Sequence, residues 1–431
     1  MAASKKTDWF QHDRFGMFIH WGLYSIPARG EWVRSFENIT IEDYQQFFDE
    51  FNPSDYDPAA WAKTARNAGM QYAVMTAKHH DGFCLFDSAL TDYKSTNTPC
   101  KRDLIREYID AFRAEGLKVG LYFSIIDWYH PDFPHYGDKQ HPMRDNEKYK
   151  DVVHNFDNYL QYMHGQVEEL CTKYGKIDIF WFDFSYNHMT GEKWKATELV
   201  RMIRKYQPDV IIDNRLEVSG EGKGSLESGE PSEFSGDFVS PEQIIPPAGI
   251  RDVNNNPVLW EACITMNNHW AYCAADKHYK PAEMVIKKLV ECVSKGGNLL
   301  LNVGPDAKGL IPPESLEILE TVGKWMKLNH KSIYGCTYAG IDKPEYGRVT
   351  KNIKTNTLYY HVMENQIGFI PLTGIDQKNI KRIRLLSSGA EMKIAESWIL
   401  TNYKDIPFVS FGESPLLPDP VNTVIEVELV Q

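Results

Sequence analysis

The sequence predicts a (β/α)8-like barrel followed by a small C-terminal antiparallel β-sandwich. Three observations carry this. Over the first three-quarters of the 431 residues, short apolar runs alternate with helical patterns, the order of parallel strands joined by helical crossovers. The runs are apolar throughout instead of alternating, as in strands buried on both faces. From about residue 340 the texture changes to short β-rich segments separated by turn residues. The expected domains are therefore 1–338 and 339–431. A doubly wound open sheet is the competing fold, and the G-x-G-x-x-G fingerprint of one common version is missing.

The elements follow in order. Phe15 to Trp21 reads as the first strand. Residues 58–69 have helical spacing, with Pro58 at the start and Gly69 just past the end. Gln71 to Ala77 is the second run. Asp103 caps a helix closed by Gly116, and Leu117 to Ser124 is the third run. A long helix is expected over roughly 146–174, then a strand at Ile177 to Phe182 and a helix near 193–206. Asp209 to Asp213, Val258 to Cys263 and Asn298 to Val303 are the fifth, sixth and seventh runs. Helices at 281–294 and 314–330 flank the last. Residues 219–237 are Gly-, Ser- and Glu-rich and read as a mobile surface loop. Beyond residue 340, segments at 356–362, 380–385 and 423–429 are strand-like, and their main expected role is to cover the barrel.

Composition narrows the function. Lys plus Arg is 47 against Asp plus Glu 59, a formal charge of −12, which argues against nucleic acid as a partner. No run approaches eighteen uncharged apolar residues, so no membrane span is expected. No apolar stretch follows the lysines near the start, so no signal peptide is read and a cytoplasmic location is expected, unless a leader has been removed. Seven cysteines without a Cys-x-x-Cys pair fit reduced core residues, not a zinc ribbon. Aromatics are 13% of the chain, a supply of stacking surfaces for sugars as well as for a large core.

In a barrel, chemistry collects at the C-terminal ends of the strands. The first run ends in His20-Trp21-Gly22, with Glu31-Trp32 beyond it. The second ends in Lys78-His79-His80-Asp81. Tyr122 to Ser124 closes the third, Trp181-Phe182-Asp183 the fourth, Asn214-Arg215 follows the fifth, and Trp260-Glu261 marks the sixth. Asp183 and Glu261 are carboxylates in apolar strands, so each must pair, be solvated or do chemistry. Two such groups facing one rim suit an acid/base and a nucleophile acting on an acetal; the plain alternative is ion pairing, with Arg215 as the available cation. His79 and His80 are adjacent on a strand end, so they are expected to diverge and not to ligate one ion; no metal and no cofactor is expected. Ser124 and Ser185 lie outside any G-x-S-x-G elbow, and no P-loop is present.

Taken together, residues 15–22, Glu31-Trp32, residues 78–83, Trp181-Phe182-Asp183, residues 260–263 and residues 296–305 closely resemble the α-L-fucosidases of glycoside hydrolase family 29, in order along about residues 10–334. The resemblance implies a distorted (β/α)8-like barrel with a β-sandwich, and retaining, metal-free hydrolysis of terminal α-L-fucosides. It implies Asp183 as nucleophile, sugar-binding roles for His20, Glu31, Trp32, His79, His80 and Tyr122, and Trp181 as a pocket-lining aromatic. A fucosylated oligosaccharide or glycoconjugate is then the expected partner, with a homo-oligomer left open. Related retaining glycosidases on another 6-deoxy or galacto-configured sugar, and a silent sugar-binding protein on the same fold, are the alternatives.

The acid/base is expected at Glu261. It sits in the family's Trp-Glu-x-Cys motif, here preceded by Leu259 where Lys is usual, and burial should raise its pKa. Glu242, in Ser240-Pro241-Glu242-Gln243, and Glu233 are the alternatives. A strand end holds geometry better than a loop, and this favours Glu261.

Overall fold

The computed structural model describes residues 5–414 and 416–430. Seven parallel strands form one curled sheet: β1 (Phe15–Ile19), β2 (Tyr72–Lys78), β3 (Lys118–Ser124), β4 (Ile179–Asp183), β5 (Ile211–Ile212), β6 (Glu261–Thr265) and β7 (Asn298–Val303), in the spatial order β5-β4-β3-β2-β1-β7-β6. Every residue of β1, β2 and β7 is buried, which is why their sequences do not alternate. The crossover helices carry their own start and stop signals. The Asp57 carboxylate accepts from the Ala59 and Ala60 N–H groups at 3.0 and 3.1 Å at the start of helix Pro58–Asn67, and Gly69 leaves it at φ +87°. Asp103 caps helix Leu104–Ala114 in the same way.

Between β5 and β6 the ladder is irregular, and residues 238–242 fill it. Asp213 bridges Phe238, Val239 bridges Trp260, and Glu242 bridges Cys263, each in parallel sense. The Val239 N–H donates to the Leu259 carbonyl at 2.9 Å, Glu261 N–H to Val239 at 2.9 Å, and Gln243 N–H to Cys263 at 2.9 Å. This segment is the eighth stave of the barrel.

Two expectations change here. The long helix is shorter than expected, spanning Phe156–Lys173. Ahead of it, the Asn155 N–H donates to Asp132 and Asn155 takes the cap, so the preceding chain is held to the loop after β3. The sixth strand begins at Glu261 instead of ending near it. Asp252 gathers the N–H groups of Asn254 and Asn256 into a turn, and Val258 N–H returns to Ile250, so residues 250–258 double back before the strand starts.

The C-terminal part is all-β. β8 (Cys336–Tyr338), β9 (Gly347–Asn352), β10 (Thr357–Val362), β11 (Ile370–Pro371), β12 (Ile380–Leu385), β13 (Glu391–Met392), β14 (Phe408–Val409) and β15 (Thr423–Leu429) make a six-stranded sheet, β13-β12-β15-β10-β9-β8, and a two-stranded sheet, β11-β14. Tyr360, Val362, Leu372, Val409, Ile425 and Val427 fill the core of this part. It is tied to the barrel by Arg348, 2.9 Å from Glu291, and by the Trp325 indole donating to the Asn422 carbonyl at 3.2 Å.

Candidate active site

The strand ends meet in one pocket, lined by Phe18, His20, Trp32, His79, His80, Tyr122, Trp181, Asp183, Phe184, Glu242, Cys263 and Trp270. Asp183 is the last residue of β4. Its strand is pinned past the end of β5 by the Phe182 N–H donating to Asp213 Oδ1 at 3.0 Å. Tyr122 Oη donates to Asp183 Oδ2 at 2.7 Å and Arg215 Nη1 to Oδ1 at 2.9 Å, so both oxygens are held. Burial pushes the Asp183 carboxyl up to about 6 against the pull of Arg215, with the Glu242 charge adding to the rise. The next residue, Phe184, takes φ 89°, a backbone state that a bulky side chain rarely adopts. Its ring forms part of the pocket wall beside Trp32 and His80.

Arg215 organises the charges. Nη2 donates to Glu242 Oε2 at 3.1 Å, Nε to Ser240 Oγ at 2.8 Å, and the guanidinium lies 4.8 Å from the Trp181 ring centroid. Burial alone would lower its pKa, but Asp183 and Glu242 outweigh burial and raise it. One cation therefore spans two pocket carboxylates.

The histidines are neutral hydrogen-bonding groups. Burial lowers His20 to about 3 and takes His79 and His80 well below the usual imidazole range, each of the last two pushed further by its neighbours. His20 Nδ1 is 2.7 Å from Asn302 Oδ1, and His80 Nδ1 is 2.7 Å from Ser124 Oγ. His79 and His80 do not diverge as expected. Their ring centroids are 4.0 Å apart and both face the pocket. The β2–β3 register shifts between Thr76 and Lys78 and β2 ends at Lys78, so strand alternation no longer applies to the next two residues. Among the described residues, no three His, Cys, Asp or Glu side chains are placed to hold a metal ion.

Of the expected site residues, His20, Trp32, His79, His80, Tyr122, Trp181 and Asp183 line this pocket. Glu31 stands behind the wall instead. It is buried and accepts the Ala271 N–H at 3.0 Å, which anchors the turn carrying Trp270. Burial raises its pKa. Glu261 is also outside the pocket: it opens β6 in the barrel interior, fully buried, and accepts the Tyr72 hydroxyl, while Cys263 two residues later reaches the pocket. The correction follows from the late start of β6, which moves Glu261 to the N-terminal end of its strand. Glu242 reaches the pocket in its place. Glu233 is paired with Arg201 at the surface, at 2.6 Å. Sequence reasoning did not find Phe18, Phe184 or Trp270. Phe18 is one of five apolar residues in its strand, and Trp270 follows β6 in a loop without a motif of its own.

Comparison with known proteins places this geometry. The family model for alpha-L-fucosidase matches residues 1–331. The structure of alpha-L-fucosidase isoenzyme 1 from Paenibacillus thiaminolyticus is 60% identical and covers 99% of each chain, with a TM-score of 0.95. A GH29 alpha-L-fucosidase from Bacteroides thetaiotaomicron, trapped as a covalent intermediate in complex with 2-fluoro-fucosyl fluoride in a glutamate-to-glutamine mutant, is 29% identical over 99% of this chain and 97% of that one, with a TM-score of 0.85. The plasma alpha-L-fucosidase of Homo sapiens is 29% identical over 78% of this chain and 70% of its own.

Proposed function

We propose, for a chain that belongs to the α-L-fucosidase family, that Asp183 and Glu242 divide the chemistry between them. The enzyme is a retaining glycoside hydrolase that releases terminal α-L-fucosyl residues by double displacement. Asp183, the nucleophile, attacks the anomeric carbon while Glu242 gives its proton to the departing glycosidic oxygen, leaving a fucosyl ester on Asp183. Glu242, now a carboxylate, takes a proton from water as that water attacks the same carbon and frees Asp183.

The observation that carries this assignment is the Arg215 bridge, 2.9 Å to Asp183 and 3.1 Å to Glu242. In the first step Asp183 is the charged partner of Arg215, and Glu242 brings the proton it gives to the leaving oxygen. When the ester forms, that charge is consumed and the new Glu242 carboxylate takes Arg215 to itself. The pocket thus carries one negative carboxylate against one cation in both halves of the cycle. Neutral imidazoles of His20, His79 and His80 suit sugar hydroxyls, and the aromatic walls suit the apolar face and C6 methyl of fucose. Fucosylated glycans are the substrate class. The seven unpaired cysteines, six of them buried, support work in a reducing compartment, in line with the cytoplasmic expectation.

The test uses leaving groups and azide. Glu242→Ala should lose about a hundredfold to ten-thousandfold on glycans with poor leaving groups and little of the first step on nitrophenyl fucoside. Azide should then release the enzyme-bound sugar as α-L-fucosyl azide, the retained product. A uniform, modest loss across leaving groups, without azide product, overturns the assignment.

A further inference from the structure

His20 and His80 each give one ring nitrogen to a fixed partner behind the pocket wall. Ser124, the last residue of β3, is fully buried. Its hydroxyl donates to the Ile126 carbonyl at 2.8 Å, and a carbonyl has no proton to return. That spends the single proton of the hydroxyl. Toward His80 Nδ1, 2.7 Å away, Ser124 Oγ can therefore only accept, so Nδ1 carries the proton. In a neutral ring Nε2 is then a bare lone pair. It stands 4.0 Å from Asp183 Oδ2, the oxygen that accepts the Tyr122 hydroxyl at 2.7 Å.

His20 is set the same way from β7. Asn302 is 2% exposed, and its amide meets the Trp270 carbonyl at 2.6 Å. Two carbonyls would repel there, so the NH2 group faces Trp270 and Oδ1 faces His20 Nδ1 at 2.7 Å. Oδ1 only accepts, so again Nδ1 carries the proton and Nε2 does not. Both rings are buried, and His79 packs against each, at 5.8 Å from His20 and 4.0 Å from His80 between ring centroids. Burial and crowding of three imidazoles disfavour the cations. Both rings line the pocket, and Nε2 is the ring nitrogen left to a ligand.

Resting on the reaction assigned above to Asp183 and Glu242, we propose that Ser124 and Asn302 are positioning residues that hold His80 and His20 in the Nδ1–H tautomer, so that the pocket offers the sugar two imidazole lone pairs and takes its hydroxyls as donors. For His80 the tautomer also spares the nucleophile. The opposite one would aim an N–H at Asp183 Oδ2, a third donor on a carboxylate that Tyr122 and Arg215 already hold, and each further donor makes the carboxylate a weaker nucleophile. A sugar whose hydroxyl is replaced by a group without a proton leaves a buried acceptor unmet.

Neutron diffraction from crystals of the sugar-free wild-type enzyme grown in D2O tests the tautomers directly. Deuterons are expected on Nδ1 of both rings and between Ser124 Oγ and the Ile126 carbonyl, with none on either Nε2. A deuteron on Nε2 of either ring, alone or beside one on Nδ1, overturns the proposal. Kinetics test the consequence. Ser124→Ala frees the His80 proton to move to Nε2 and should lower kcat/KM on nitrophenyl α-L-fucoside about tenfold to a hundredfold. Ser124→Thr, which keeps the hydroxyl, should recover most of that loss. In a His80→Phe background, Ser124→Ala should cost less than about threefold, because the group it acts through is gone. A full loss in that background, or no loss in Ser124→Ala alone, overturns the positioning role, and the diffraction result decides if a variant does not fold. Failure of the underlying assignment reads differently: turnover would survive Asp183→Ala while the deuterons stay in place.

Discussion

Glu242 and Cys263 are backbone partners across the eighth seam of the barrel, and this pairing lifts Glu242 to the pocket while Glu261, two residues earlier on β6, stays below the floor. Register decides which glutamate lines the pocket. A slip of β6 by two residues would bring Glu261 to the level that Cys263 now holds beside Glu242, because side-chain direction repeats every second residue.

Removing the Asp183 carboxylate tests the proposed nucleophile and separates folding from chemistry. Asp183→Ala should keep the native circular dichroism spectrum and lose nearly all turnover. With azide and nitrophenyl α-L-fucoside it should form β-L-fucosyl azide, the inverted product, because azide now attacks the substrate directly. An α-configured azide product would assign the residue to the acid/base role.

The acid side of the pH profile reports Asp183. Burial holds its carboxyl at about 6, above the usual carboxylate range, and the protonated form is no nucleophile. kcat/KM should therefore fall as pH drops through about 6. A profile flat down to pH 4 would remove Asp183 from the reaction.

Arg215 should tune that limb. It is the attraction that opposes burial at Asp183, so Arg215→Met should move the acid limb to higher pH and lower kcat. Arg215→Lys keeps the charge but not the fork that reaches two carboxylates, and should recover the limb without recovering the rate. An acid limb unchanged in Arg215→Met contradicts the bridge.

Lys78 and Asp127 form a fully buried ion pair at 3.0 Å, immediately before His79 and His80. Asp127 Oδ1 also accepts the Tyr129 and His130 N–H groups at 2.9 Å each. Lys78→Met leaves the carboxylate buried without its cation, at a cost of about 3–5 kcal/mol in urea-unfolding free energy. A change under about 1 kcal/mol would show that water reaches Asp127.

Chelation should leave the rate untouched. The imidazoles at the rim have the neutral form a metal wants, but the described residues bring no third His, Cys or carboxylate donor to them in ligating geometry. Loss of activity in EDTA with recovery on zinc would overturn this.

The barrel was legible because buried parallel strands write continuous apolar runs, as in residues 298–303, and because Asp57 and Asp103 announce their helices. Asp183 was legible for the same reason: an acid closing the apolar run Ile179–Phe182 stands out. Glu242 was legible only as an alternative to Glu261, because its stave is held by isolated bridges between β5 and β6 and has no apolar run of its own. The convergence of His79 and His80 depends on a register shift in β2, a property of the pairing with β3 that no spacing in the local sequence encodes.

The two carboxylates rest on unequal foundations. Asp183 terminates a central strand hydrogen-bonded to β3 and β5, whereas Glu242 follows twenty-odd residues of polar chain after Arg215, tied back by the ladder to β6, by contacts to β5 and by the ion pairs of Glu233 with Arg201 and of Asp237 with Arg204. Residues 217–232 bond largely among themselves and form a cassette. Grafting a segment of other length or composition there should leave Asp183 and its strand in place. Libraries aimed at new aglycones belong in that cassette, upstream of Glu242 and away from the strand that carries Asp183.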